Sequence, residues 1–218
     1  MILYGSSLSP FVRKVLAFAS EKGVEIELKA AGDVPGQRSD EFLEASPFGK
    51  MPALRDGSFT LADSSAIVHY IEAKNPKPAL IPSEAEALGR CVWFEEFADT
   101  ILGACCAKMF YNRVVAPRFF GRPGDEEAAA VAEREELPPM LDYLERVVPQ
   151  GDAFLLGDSI TLADIAVATI FANLEHMNVD IQGDRYPRTV AYVSRILARP
   201  SFAPWLERER AMLQSVAA

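Results

Sequence analysis

The chain has 218 residues, half of them hydrophobic and 24% charged, with a formal net charge of −9 at pH 7. That length suits one large or two small domains with a sizeable core. The acidic balance, with no basic run, excludes nucleic acid and anionic membrane surfaces as expected partners.

From the N-terminus, residues 1–5 lack a basic stretch followed by an apolar one and read as a strand, not a signal peptide. Ile2–Tyr4 is a short apolar run ended by Gly5. Ser9-Pro10 then opens a helix, with Ser as N-cap and Pro at the first helical position. Val12, Val15, Leu16 and Ala19 give it an apolar face, and Gly23 closes it. Val24, Ile26 and Leu28 alternate with Glu25 and Glu27, predicting a half-exposed strand and hence a βαβ unit with a right-handed parallel crossover.

A polar loop and a weak helix near residues 40–45 follow. Residues 51–55 and 58–61 flank Asp56-Gly57, a strong hairpin signal. Asp63-Ser64-Ser65 opens a helix carrying Ile67, Val68 and Ile71, which Pro76 and Pro78 stop. The order is β-α-β-(α)-β-β-α, a small sheet with packed helices over residues 1–74.

Residues 75–84 read as a proline-bearing linker. Beyond it strand signals vanish, and residues 85–218 read as all-helical. Helical patterns cover 84–116, 125–148, 161–177 and 186–198, with a short last helix around Trp205. Pro138-Pro139 should kink or break the second of these. The third is apolar on all sides through 165–174, the longest apolar stretch, which is too short to span a bilayer and predicts a domain core. A cytoplasmic location is the expectation. Three cysteines (Cys91, Cys105 and Cys106) without CxxC spacing argue against a disulfide framework, a dithiol redox site and a zinc knuckle. With only His69 and His176 beside them, no metal site is expected.

Four short constellations carry possible chemistry. Ser9 sits between a strand end and a helix N-terminus, where backbone N–H groups and the helix dipole favour anions. Its hydroxyl either caps the helix or donates to a bound thiolate, lowering the pKa of a thiol that is about 8.5 when free. Pro52, after Phe48-Gly49-Lys50-Met51, is either a trans proline opening an edge strand or a cis proline that turns the Met51 backbone toward an extended peptide. Asp63 and Ser64 either cap their helix or hold the ammonium and carboxylate of an α-amino acid. Thr161 and Asp164 have capping-box spacing, with Ile160 and Ile165 as a hydrophobic staple, and are read as structural.

Taken in order, Ser9-Pro10-Phe11 with Arg13-Lys14-Val15, Phe48-Gly49-Lys50-Met51-Pro52-Ala53-Leu54, Asp63-Ser64-Ser65-Ala66-Ile67, the 159–165 segment and Arg199-Pro200-Ser201-Phe202 resemble the cytosolic glutathione transferase family. Tau, phi, zeta and generic bacterial classes look most similar. The resemblance implies a thioredoxin-like α/β N-terminal domain that binds glutathione and an all-α C-terminal domain. It implies Ser9 as the thiol-activating group, where cysteine-type members carry Cys. It also implies that the backbone of Met51, before a cis Pro52, pairs with the cysteinyl unit. Ser64 is implied for the γ-glutamyl carboxylate, with Asp63, where Glu is usual, for the ammonium. Arg38 and Lys50 lie near positions that hold the glycyl carboxylate in some classes. Tyr4 is a rival activator, since other classes use a tyrosine at the first strand's end, and Ser6 and Ser7 are lesser rivals. Leu8 and Phe11, with Lys108, Phe110 and Tyr111, are candidates for a pocket that receives a small hydrophobic electrophile. A homodimer and a detoxifying transferase are the implied assembly and role. A glutathione-dependent isomerase or dehalogenase, and a non-catalytic carrier or regulatory protein, are the alternatives on the same fold.

Overall fold

A computed structural model describes residues 1–34 and 36–215. The chain falls into two compact units, Met1–Ile81 and Pro82–Ala218, the division lying inside the proline-bearing segment.

The first unit runs β1 (Ile2–Tyr4), α1 (Pro10–Glu21), β2 (Glu27–Lys29), α2 (Asp40–Ala45), β3 (Ala53–Asp56), β4 (Phe59–Ala62) and α3 (Ser64–Lys74). Its sheet has the order β2-β1-β3-β4, with β1 and β2 parallel and the other pairs antiparallel. Leu3, Phe18, Leu54, Ile67, Val68 and Ile71 are fully buried in its core. α1 and α3 pack together, while α2 packs on β3 and β4.

Two boundaries differ from the sequence expectation. α1 ends with Gly23 at φ +68°, its N–H bonded to Ser20 O while Val24 N–H bonds to Ala19 O. This paired closure occupies Val24, and three-residue β1 leaves little to pair with, so β2 begins only at Glu27, opposite Ile2. In the hairpin, Asp56 pairs with Phe59 and the loop is Gly57-Ser58, one residue later than expected. Gly57, at φ +62°, takes the first loop position, where only glycine is unstrained.

The first unit also reaches further than residue 74. Lys22, its side chain wholly buried, places Nζ 2.7 Å from Glu72 Oε2 and 2.6 Å from Pro78 O. Glu72 accepts from Leu80 N–H as well. A desolvated ammonium needs its partners, and this pair, with the Pro78 and Leu80 backbone, draws residues 78–80 of the expected linker onto the first unit.

The second unit is helical among its described residues. α4 (Ala85–Glu96) and α5 (Gly103–Phe110) are joined by a π-helical stretch, Phe97–Leu102, and a second one, Tyr111–Phe119, follows. α6 (Glu126–Val131) passes through a third, Ala132–Glu136, into α7 (Leu137–Val147). Pro138 and Pro139 therefore neither break nor end the run. They fall in the first turn of α7, where a missing N–H costs least, and the wider π turn precedes them. α8 (Leu162–His176) is buried from Leu162 through Leu174. α9 (Pro187–Leu197) and α10 (Ala203–Ser215) complete the unit, α10 being longer than the short helix expected. No described helix is long and apolar enough to cross a membrane.

Candidate functional site

The site is built around the end of β1. Gly5 has φ +154°, and a Cβ there would stand 2.5 Å from Val12 Cγ2 and 3.5 Å from Met51 Cβ. Glycine thus lets the first turns of α1 and the residue before Pro52 close on the same strand end. A turn follows, Ser9 N–H bonding to Ser6 O at 3.0 Å. Ser9 is the N-cap of α1 in extended geometry, yet its side chain makes no capping hydrogen bond. Pro10 occupies the first helical turn, and no acidic residue lies there. The positive end of α1 therefore meets no negative side chain of its own first turn, and the half-buried Ser9 hydroxyl sits at that end.

The rival hydroxyls are placed differently. Tyr4 is 1% exposed and packs with Phe42 and Ala45 of α2. Its OH donates to Glu41 Oε1 at 2.5 Å and accepts from Arg55 Nε at 3.3 Å. Burial and the bond to Glu41 raise its phenol above the usual value, Arg55 pulling the other way. Tyr4 is thus engaged among the residues of α2. Ser7 is buried with its Oγ unpartnered, and Ser6 is half-buried.

The Met51–Pro52 peptide is cis, and Pro52 is buried. The loop before it is fixed by Ser46, whose Oγ donates to Lys50 O at 2.6 Å, and by Gly49, at φ +63°, whose N–H bonds to Ser46 O. Arg38 Nε donates to Gly49 O at 3.1 Å, so the structure brings Arg38 and Lys50, both exposed cations, to one loop.

Asp63 links β4 to α3 at φ +80°, a conformation uncommon for a side-chain-bearing residue and characteristic of ligand sites. Its Oδ1 accepts from Ser65 N–H (2.9 Å) and Ala66 N–H (3.1 Å). Asp63 therefore caps α3 while its carboxylate stays exposed, and Ser64, the first helical residue, is buried. One neighbour escaped the sequence reading. Lys14, on α1, is fully buried with Nζ 3.3 Å from Ser65 Oγ. A lysine between Val12 and Val15, on an otherwise apolar helix side, was the available signal.

Leu8 is buried and Phe11 half-buried on either side of Ser9 in the chain. In the second unit, Lys108 Nζ lies 2.7 Å from both carboxylate oxygens of Glu136, Phe110 is buried, and Tyr111 is 46% exposed. Lys108 is thus held toward Glu136. Among the described residues no group of three or more His, Cys, Asp or Glu is gathered as a metal ion would need. Cys105 is a buried thiol pushed up to about 11 by burial, and its Sγ donates to Ala132 O, both of which favour the neutral thiol.

Family models described as "Glutathione S-transferase, N-terminal domain" and "Glutathione S-transferase, C-terminal domain" match residues 3–79 and 112–209. The chain is 35% identical to human glutathione S-transferase theta-1 over 77% of its own length and 70% of the relative's. It is 33% identical to a glutathione S-transferase of Hyoscyamus muticus over 95% of this chain and 98% of that one. Among solved structures, glutathione S-transferase-I bound with lactoylglutathione superposes with a TM-score of 0.82 at 25% identity, covering 94% of this chain and 98% of that one.

Proposed function

The chain belongs to the glutathione S-transferase family and is a glutathione transferase, and on that premise we propose that Ser9 is the group that activates the thiol. The observation that carries this reading is the uncommitted Ser9 hydroxyl at an α1 N-terminus with no acidic residue in its first turn. A donor there stabilises the thiolate form of glutathione, and stabilising the charged form lowers the thiol pKa. The thiolate then attacks an electrophilic carbon, forming a C–S bond as the leaving group departs with its electron pair, or as a double bond takes up the pair. Positioning and an ionised nucleophile supply most of the acceleration.

The peptide is assigned along the rest of the site. Met51, held before Pro52, pairs its backbone with the cysteinyl unit. Ser64 and the α3 N-terminus take the γ-glutamyl carboxylate, and Asp63 takes the ammonium. Arg38 and Lys50 take the glycyl carboxylate. Leu8 and Phe11, flanking Ser9, meet a small hydrophobic electrophile. A detoxifying role, a homodimer and a cytoplasmic location complete the proposal.

The test is the ultraviolet absorbance of bound glutathione thiolate against pH in wild type and Ser9→Ala. Ionisation well below pH 8.5, the ordinary thiol value of about 8.5, is expected in wild type and should be lost in the variant. Equal ionisation in both proteins removes Ser9 as activator.

A further inference from the structure

Tyr4 stands on the strand that leads to Ser9, yet its hydroxyl is turned to α2. Its buried ring packs with Phe42, the centroids 6.2 Å apart. Its OH donates to Glu41 Oε1 and accepts from Arg55 Nε. Arg55, on β3, also donates from Nη2 to the Glu41 carbonyl at 3.2 Å and to Glu44 Oε2 at 2.8 Å. Lys29, the last residue of β2, holds its ammonium 3.8 Å from Glu41. Side chains of three neighbouring strands thus converge on one helix of six residues. A helix that short is not stable on its own backbone bonds, so α2 stands where its tertiary ties hold it. Phenylalanine in place of Tyr4 would keep the packing; what the hydroxyl adds is the tie to Glu41.

What α2 carries indicates what that tie serves. Arg38 directly precedes Ser39, the N-cap of α2, whose Oγ accepts from Phe42 N–H at 3.2 Å. The Arg38 guanidinium lies over the Phe42 ring, 5.7 Å from its centroid. Its Nη1 donates to Gln37 O at 2.9 Å, and its Nε to Gly49 O, the residue before Lys50. Phe42 therefore packs with Tyr4 and also supports Arg38. The hydrogen bonds that Arg38 makes among the described residues go to carbonyl oxygens, which leaves its full positive charge to attract an anion.

We propose that Tyr4 is a positioning residue of the glutathione site, its hydroxyl acting through Glu41 and Phe42 of α2 to set Arg38 for the glycyl carboxylate. The inference rests on the glycyl assignment of Arg38 made above, and adds to it a residue that touches no reacting atom. Its signature is selectivity for that one carboxylate, which a tyrosine that only fills the core does not confer.

The experiment is calorimetric titration of the full chain with two peptides. One is glutathione, and the other is γ-glutamyl-cysteinyl-glycinamide, which keeps its length and lacks the terminal charge. Wild type should bind glutathione about tenfold more tightly than the amide, the size of one charge-assisted contact, and Arg38→Ala should remove that preference. Tyr4→Phe should weaken glutathione about fivefold, the worth of one such hydrogen bond, while the amide's affinity holds within about twofold. Glu41→Ala, which removes the same tie and leaves the buried ring intact, should repeat the loss. Glu41→Gln, which keeps an acceptor for the Tyr4 hydroxyl, should restore most of it. In turnover, Tyr4→Phe should raise KM for glutathione and leave kcat at saturation unchanged. An equal loss for both peptides, or no loss for glutathione in Tyr4→Phe and Glu41→Ala, overturns the proposal. So does a fall in kcat with KM unchanged, which would make Tyr4 an activator of the thiol. If wild type binds the two peptides alike, or Arg38→Ala keeps the preference, the glycyl assignment itself falls and takes this inference with it.

Discussion

α1 begins on a hydroxyl residue, Ser9, as α8 does on Thr161, and the two helix starts differ in how far their polar groups are already engaged. At α8 the capping-box groups are engaged. Asp164, wholly buried, accepts from Thr161 N–H and Thr161 Oγ1 at 2.8 Å, from Leu155 N–H at 2.8 Å, and from Tyr192 OH. At α1 the serine makes no capping bond, no acid sits in the first turn, and the position is half-buried. The residue type and helix position are nearly the same. What differs is whether the polar groups already have partners, and an N-cap whose hydrogen bonds are complete has nothing left to offer a ligand.

The largest effect that sharpens this contrast is at α8. Asp164→Ala leaves two N–H groups and two hydroxyls without their acceptor at once. Removing one partner from such a buried charged network costs about 3–5 kcal/mol. Urea unfolding should show that loss in the midpoint. A loss under about 1 kcal/mol, the value of an ordinary exposed cap, would mean that α8 is held by its apolar packing alone. Next in size is Ser9→Ala on turnover. Losing one preorganised donor to a developing or stabilised anion lowers kcat/KM by about 10²-fold, read by steady-state kinetics with a small electrophile at pH 6.5. An unchanged value there would erase the functional half of the contrast.

How much of this was open to a reader of the sequence differs from element to element. The capping box at α8 was legible because all its parts lie within six residues, Ile160 to Ile165. The βαβ unit and the hairpin were legible from periodicity and glycine, though not to the residue, because a strand's ends depend on its partner's length. Tyr4 could not be placed from sequence. Its commitment to Glu41 and Arg55 joins residues 37 and 51 positions away. Nor could Pro52 be assigned as cis, since the local preference for trans is small and tertiary packing decides. Nor does the sequence show that Lys14 is buried, because burial of a lysine is a tertiary fact.

A smaller effect tests the same α8 network from its far side. Tyr192 is buried, and burial, the Asp164 charge and their hydrogen bond raise its phenol well above the usual value, Arg195 opposing. Tyr192→Phe should cost about 1–2 kcal/mol, a hydrogen bond to a charged acceptor. A raised pKa in the folded state means the neutral phenol stabilises the fold. That contribution is fully present below the unfolded value of about 10 and declines as pH rises through the folded value. Wild type and Tyr192→Phe should therefore differ by a constant amount through neutral pH and converge above about pH 10. Parallel curves beyond that pH would show that the phenol does not titrate with the fold.

The smallest expected effect decides most about Ser9. Replacing a serine N-cap by alanine ordinarily costs about 1 kcal/mol, because an orphan N–H of the first turn loses its acceptor. The Ser9 side chain accepts no such bond, so Ser9→Ala should change stability by no more than about 0.5 kcal/mol, the range of a substitution that removes no feature. The measurement is the thermal midpoint of the ligand-free protein, paired with Thr161→Ala as the internal standard for a working cap. A drop at Ser9 as large as that at Thr161 would place the hydroxyl on its own helix in solution. It would then be no donor to a thiolate without first breaking that bond, and the two helix starts would differ only in burial. A drop near zero, together with lost turnover, leaves Ser9 with a role in the reaction and none in the fold.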